Sequence, residues 1–255
     1  MSALAGRHAL VTGANRGIGL AIVRALSEQG AKVSLLVRDG ARAAGAARSL
    51  SGTHAIVVAD VTDRAASQAA CAAAAAQLGP VDILVNNAGS AESAPFLKSG
   101  PELFERMLAV HLLAAVHTTQ AVLPGMLERG RGQVINIASV AGLEGAAYVS
   151  AYVAAKHALV GLTRALALEV AAKGIGVNAI CPGYTDTDLV QRSVAKIVAK
   201  TGRDAGDVLH SILAEAGQVR IVTPDEVARA VIALCTAPPG SATGQAIRLD
   251  GREDA

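Results

Sequence analysis

Short runs of apolar residues alternate along the chain with longer stretches in which apolar positions return every three or four residues. His8–Thr12 (HALVT) is almost wholly apolar or β-favouring and reads as a strand. After a glycine-rich segment, residues 20–29 place Leu20, Ile22, Val23 and Leu26 at helical spacing. The same alternation predicts strands over 32–37, 54–59, 81–86, 132–138, 176–181 and 245–249. It predicts helices over 42–50, 65–78, 101–123, 151–172 and 224–234. Pro101 stands at the first turn of its helix, and Gly79-Pro80 stops the helix before it. Residues 188–220 are more polar and read as less regular. Uninterrupted apolar strands separated by helices predict a seven-stranded, mostly parallel sheet with helices on both faces. No linker-like stretch or internal repeat divides the chain, so residues 1–255 are read as a single doubly wound α/β domain.

Composition narrows the function classes. Apolar residues are 52% of the chain and charged residues 17%, enough for a large core. Lys plus Arg is 23 and Asp plus Glu 21, a net charge of +2, which leaves no electrostatic footprint for nucleic acid or an anionic membrane. Aromatics at 2% give no base-stacking platform. The three cysteines, Cys71, Cys181 and Cys235, are far apart, lack zinc-like spacing and read as buried thiols, and no metal site is expected. With no leader-like apolar run at the N-terminus and no continuous membrane-length segment, the expectation is a soluble cytoplasmic protein.

Chemistry gathers at the predicted strand ends. Gly13-Ala14-Asn15-Arg16-Gly17-Ile18-Gly19 lies between the first strand and the first helix. Glycines there let backbone N–H groups reach a pyrophosphate, and the helix N-terminus adds partial positive charge. The plain alternative is a glycine turn that serves only close packing. Asp60 and Val61 after the third strand suit an adenine amino group and ring, and Asn87-Ala88-Gly89 follows the fourth. A site for NAD places an acid at the end of the second strand to hold the ribose diol. Here Arg38 follows Val37, and Arg16 lies in the glycine loop. Two guanidinium groups suit a 2′-phosphate, so NADP(H) is favoured, with NAD(H) open, because Asp39 can neutralise Arg38 or turn inward.

Tyr152 and Lys156 are four residues apart on a predicted helix and therefore share a face. A phenol of pKa about 10 becomes a useful acid/base when a neighbouring ammonium stabilises its anion. Ser139 follows the fifth strand, where its hydroxyl suits a carbonyl or developing alkoxide.

These residues together make the chain resemble the short-chain dehydrogenase/reductase family, from about residue 5 to 251, with particular similarity to 3-oxoacyl reductases and 3-hydroxyacyl or 3-hydroxybutyrate dehydrogenases. The resemblance implies a Rossmann-type domain with Tyr152 as general acid/base and a cofactor contact, Lys156 lowering its pKa and binding the nicotinamide ribose, and Ser139 polarising the carbonyl. It implies nicotinamide contacts from Pro182, Gly183, Thr185 and Thr187, a substrate lid over 188–220, and a homotetramer assembled through the two long helices. The family's fourth catalytic residue is an Asn, and His111 stands in its place. An imidazole there can relay a proton or merely satisfy a buried backbone group. Ala91, Leu143, Glu144, Tyr148, Val149 and Tyr184 are expected to rim the pocket, a mostly apolar set suited to a neutral or thioester ketone. The reading is an NADPH-dependent ketone reductase acting on a 3-oxoacyl or similar carbonyl. The alternatives are an NAD-dependent hydroxyacid, hydroxyacyl or alcohol dehydrogenase and, remotely, a non-catalytic dinucleotide-binding regulator.

Overall fold

In the computed structural model, which describes residues 2–238 and 242–252, the apolar runs become strands because both their faces are covered. They are β1 (His8–Thr12), β2 (Lys32–Val37), β3 (His54–Val58), β4 (Ile83–Asn86), β5 (Gly132–Ile137), β6 (Ile175–Pro182) and β7 (Ala246–Leu249). They form one seven-stranded sheet in the order β3-β2-β1-β4-β5-β6-β7. Every pairing is parallel, so the sheet is wholly and not mostly parallel. The strand order reverses between β1 and β4, and in such sheets the carboxyl ends on either side of that point bind ligands.

Helices α1 (Gly17–Glu28), α2 (Gly40–Ala47), α3 (Arg64–Leu78), α4 (Pro101–Leu108), α5 (Ala114–Arg129), α6 (Ser150–Val170), α7 (Asp188–Thr201), α8 (Ala205–Glu215) and α9 (Pro224–Thr236) cover the sheet and its rim. On one face α1 and α9 bury Ile22, Leu26, Val227 and Val231 against Leu35 and Ile83. On the other, α3, α5 and α6 bury Ala70, Val122 and Ala167 against Leu10, Leu84 and Val134.

Two expectations change. Residues 188–220 are not irregular: α7 and α8 fill most of that span. Gly202, at φ +69, ends α7, and the Asp204 carboxylate caps α8 through the Gly206 and Asp207 amides, so local capping outweighs the weak apolar pattern. The helix expected to end at residue 123 runs on to Arg129 through Pro124. Pro124 lacks the N–H that would bond the residue 120 carbonyl, but Gln120 and Pro124 are both exposed, so solvent can reach that group. Between α4 and α5 the backbone widens into a π-helical turn, Ala109–Leu113, that carries His111. The run Pro101–Arg129 spans 29 residues and contains an 18-residue window of mean hydropathy 1.3, long and apolar enough to cross a membrane by length and composition alone. Here it lies beside α3, with Thr118 and Thr119 buried and hydrogen-bonded.

Candidate active site

The glycine loop is built for close approach. Gly13 and Gly17 take positive φ values of +65° and +50°. A Cβ on Gly13 would meet Ala88 Cα at 3.0 Å, and one on Gly19 would meet the Gly13 carbonyl and Asn87 Nδ2. Thr12 Oγ1 accepts from the amides of Asn87 and Ala88, both at 2.9 Å, and Asn87 Nδ2 donates to the Thr12 and Gly13 carbonyls at 2.9 and 3.2 Å. Asn87 therefore fastens the loop after β4 to the loop after β1. Helix α1 begins at Gly17, three residues before the sequence reading, with Leu20 the first amide bonded back to the Arg16 carbonyl. The amides of Gly17, Ile18 and Gly19 are left as an anion site at the helix N-terminus, with Asn15 partly exposed beside them.

Around this loop lies an arginine cluster. Arg38 is exposed at the end of β2 and pairs with Asp60 at 3.9 Å. Asp60 Oδ1 accepts from the Thr62 amide and hydroxyl at 2.9 and 2.7 Å, and these bonds, the amide first, hold its carboxyl below its usual range. Asp39 does not neutralise Arg38: it caps α2, accepting from the Arg42 amide at 3.0 Å. Arg42, on the first turn of α2, is a third cation that sequence reasoning missed, since nothing in the chain places it opposite Arg16. His117, on α5, meets the Val61 carbonyl at 3.2 Å, and Val61 is buried.

The catalytic candidates converge between β5 and α6. Ser139 follows β5, and its hydroxyl accepts from the Ala141 amide at 3.2 Å. Tyr152 and Lys156 lie on one face of α6, with the Lys156 ammonium 5.6 Å from the phenol ring centroid. Burial pushes the Tyr152 phenol up from its ordinary pKa, and a hydrogen bond with Ser139 works against that rise. Lys156 is buried and donates to the Ile137 carbonyl at 2.8 Å, and burial brings its ammonium down to about 7. Cys181, at the end of β6, is a buried thiol close enough to perturb both groups. All three cysteines are buried and unpaired.

His111 joins this group edge-on, with its ring 5.1 Å from that of Tyr152 and at 87° to it. Its Nε2 lies 2.6 Å from the Ser90 carbonyl, so Nε2 carries the proton and Nδ1 is an acceptor. Nδ1 is buried with no partner among the described residues. A cavity of about 10 Å³ lies between His111, Lys156, Thr12 and Ala88, the room one water needs. Burial, and then the charge of Lys156, push the His111 pKa down to about 3. The imidazole is therefore neutral near pH 7, with its Nδ1 open to accept a hydrogen bond.

The expected substrate residues divide. Tyr184 lies near enough to Tyr152 to raise its pKa. Tyr148 is 68% exposed, holds φ at +64° and accepts from the Ala94 amide at 2.8 Å through its carbonyl. Glu144 pairs with Arg248 at 3.0 Å and Arg252 at 2.6 Å, so its charge is neutralised by the C-terminal strand and tail. Pro182 ends β6, Thr185 Oγ1 donates to the Gly183 carbonyl at 3.1 Å, and Thr187 Oγ1 donates to the Thr185 carbonyl at 3.2 Å. Gln218, buried and not anticipated, accepts from the Tyr184 amide at 2.7 Å and braces this turn. Also unforeseen is a buried chain under the site. Thr118 donates to Asn86 at 2.7 Å, Asn86 to Asn136 at 2.9 Å, and Asn136 to Thr163 at 2.8 Å.

Residues 7–197 match the family model described as short chain dehydrogenase. The chain is 39% identical over 254 residues to a D-beta-hydroxybutyrate dehydrogenase of Cupriavidus necator, covering 97% of this chain and 98% of that protein. It is 39% identical over 245 residues to an acetoacetyl-CoA reductase of Rhizobium meliloti, covering 96% and 97%. Among solved structures, L-sorbose reductase from Gluconobacter frateurii, complexed with NADPH and L-sorbose, superposes with a TM-score of 0.93 at 30% identity, over 99% of this chain and 98% of that one.

Proposed function

The chain belongs to the short chain dehydrogenase family, and from that premise we propose that it is an NADPH-dependent reductase converting a 3-oxoacyl or similar neutral ketone to a secondary alcohol. The observation that carries the reading is the convergence of Ser139, Tyr152 and Lys156 beside a glycine cradle that any Cβ would fill.

The cradle fits a dinucleotide: the amides of Gly17, Ile18 and Gly19 suit a pyrophosphate, Arg16, Arg38 and Arg42 suit a 2′-phosphate, and Asp60 and Val61 suit the adenine. Asn87, Ala88 and Gly89 line the crossing of the sheet, and Pro182, Gly183, Thr185 and Thr187 supply the nicotinamide end. Once bound, the nicotinamide supplies the hydride. Tyr152 Oη gives its proton to the carbonyl oxygen, and the burial that raises its pKa keeps it protonated at neutral pH. The Ser139 hydroxyl holds the same oxygen. The Lys156 ammonium stabilises the phenolate left behind and orients the ribose. His111 acts as a positioning residue, its ring edge fixed on Tyr152 and its bare Nδ1 turned to the small cavity beside Lys156.

Support for NADPH comes from Arg16, Arg38 and Arg42 gathered near the end of β2, with Asp39 engaged as the cap of α2, and from the NADPH held by the L-sorbose reductase. The names of the relatives and the neutralised Glu144 support a 3-oxoacyl ketone. Exposed Leu113 and Leu168, on the two long helical runs, suit a subunit contact, and sedimentation tests for the homotetramer. The catalytic reading is tested with Tyr152→Phe on acetoacetyl-CoA and NADPH. We expect a loss of about 10²–10⁴ in kcat with unchanged NADPH binding. More than a tenth of wild-type kcat in the variant overturns it.

A further inference from the structure

Asp188 is the first residue of α7, where the lid begins. Its carboxylate lies between two guanidinium groups from different parts of the chain. Arg16 Nη1, from the glycine loop, is 3.6 Å from Asp188 Oδ2, and Arg42 Nη2, from α2, is 3.8 Å from the same oxygen. Neither pair is buried: the three side chains keep 41% to 57% of their surface in solvent, so the contact can open without leaving a buried charge alone. The lid start and the loop also touch directly, since a Cβ on Gly17 would lie 3.3 Å from Thr187 Cγ2. The third arginine, Arg38, is held by Asp60.

An oxyanion placed between two guanidinium groups marks an anion site, because the same charge-assisted bonds serve a carboxylate or a phosphate. Two of the three arginines that suit a ribose 2′-phosphate are thus engaged by an acid of the chain itself. We propose that Asp188 is a cofactor-specificity residue, whose carboxylate holds the place of the 2′-phosphate between Arg16 and Arg42 and is exchanged for it on binding. This rests on the NADP(H) reading above. A dianionic phosphate takes both guanidinium groups, and the released carboxylate frees the first turn of α7 from the glycine loop. A cofactor without the 2′-phosphate leaves the latch in place. Asp188 thereby lowers affinity for the phosphorylated cofactor while tying its binding to the position of the lid. Arg42 becomes a direct determinant of the preference, although it lies well outside the glycine motif.

The test uses the full chain and two probes of the adenosine end, 2′,5′-ADP and 5′-AMP, titrated against wild type, Asp188→Asn and Arg42→Gln. We expect wild type to favour 2′,5′-ADP and Asp188→Asn to widen that preference at least threefold, through tighter 2′,5′-ADP binding. Arg42→Gln is expected to narrow it at least threefold. A wild type that favours 2′,5′-ADP, with a preference in Asp188→Asn that is unmoved or smaller, overturns the exchange and leaves the cofactor reading intact. A wild type that binds both probes equally overturns the cofactor reading and the exchange with it. Loss of binding of both probes in Asp188→Asn also overturns the exchange, since it makes Asp188 an organiser of the loop and not a competitor.

Discussion

The His111 ring occupies a space that a single methyl group would close. A Cβ on Gly89 would meet His111 Cε1 at 2.5 Å and Nδ1 at 3.0 Å, so the loop after β4 must carry glycine for the imidazole to reach Ser90 and Tyr152. Gly89→Ala is expected to destabilise the fold by about 1–3 kcal/mol, and His111→Asn, with its smaller side chain, to relieve much of that cost. Thermal melts of the two single variants and the double variant measure the coupling. The imidazole also leaves a signature in pH. Its folded pKa is near 3, against about 6.5 when unfolded, so below pH 6.5 the unfolded chain takes up a proton that the folded chain refuses. The associated stability is complete above pH 6.5 and is lost as pH falls toward 3, at up to about 1.4 kcal/mol per pH unit. The melting temperature of wild type should therefore drop relative to His111→Asn between pH 7 and 5. A constant difference would show that the ring protonates freely in the folded state. For catalysis, a positioning role predicts that His111→Asn keeps much of kcat while His111→Ala loses it.

The strands are held in register by more than apolar cover. Asn86 on β4 stands beside Asn136 on β5, and Thr118 of α5 and Thr163 of α6 close the chain of hydrogen bonds at its ends. Asn136→Ala removes the shorter of two bonds made by the Asn86 amide and leaves it only Thr119 Oγ1 at 3.3 Å, at an expected cost of about 1–3 kcal/mol. Denaturant unfolding checks this, with an unchanged slope showing that only stability has moved. Such a network was not legible in the sequence, because an Asn in an apolar run shows neither its neighbour nor its partner. The strands themselves were legible, since a sheet buried on both faces must read as continuous apolar segments. The helices of residues 188–220 were not: α7 and α8 owe their limits to Gly202 and Asp204 and carry few buried residues, so their apolar period is faint. The helix through Pro124 was cut short in the reading because a proline predicts an end unless the carbonyl it abandons faces water.

At the scale of the molecule, the site is a product of strand order. Ser139, Tyr152 and Lys156 were legible because a helical spacing and a strand end place them without knowledge of the rest. Arg42, Asp188 and Gln218 were not, because each comes to the site only when α2, α7 and the turn after β6 meet over the crossing between β1 and β4. A dinucleotide in the proposed cradle would touch elements from residue 13 to residue 187 and tie together distant parts of the chain. Its binding free energy should therefore appear as stability of the whole domain. At a concentration of 100 times its Kd, NADPH adds about 2.7 kcal/mol, which for a domain of this size raises Tm by roughly 5–10 °C. NADH at the same concentration should raise it less, and Arg38→Asp should shrink the difference between the two. Tyr152→Phe should keep most of the NADPH shift while losing turnover, because in the proposed mechanism its hydroxyl serves the substrate oxygen while the loop amides and arginines hold the cofactor. A variant that loses both the shift and the activity would instead place Tyr152 in the binding of the dinucleotide, and the proton donor would have to be sought among the other groups facing the same oxygen.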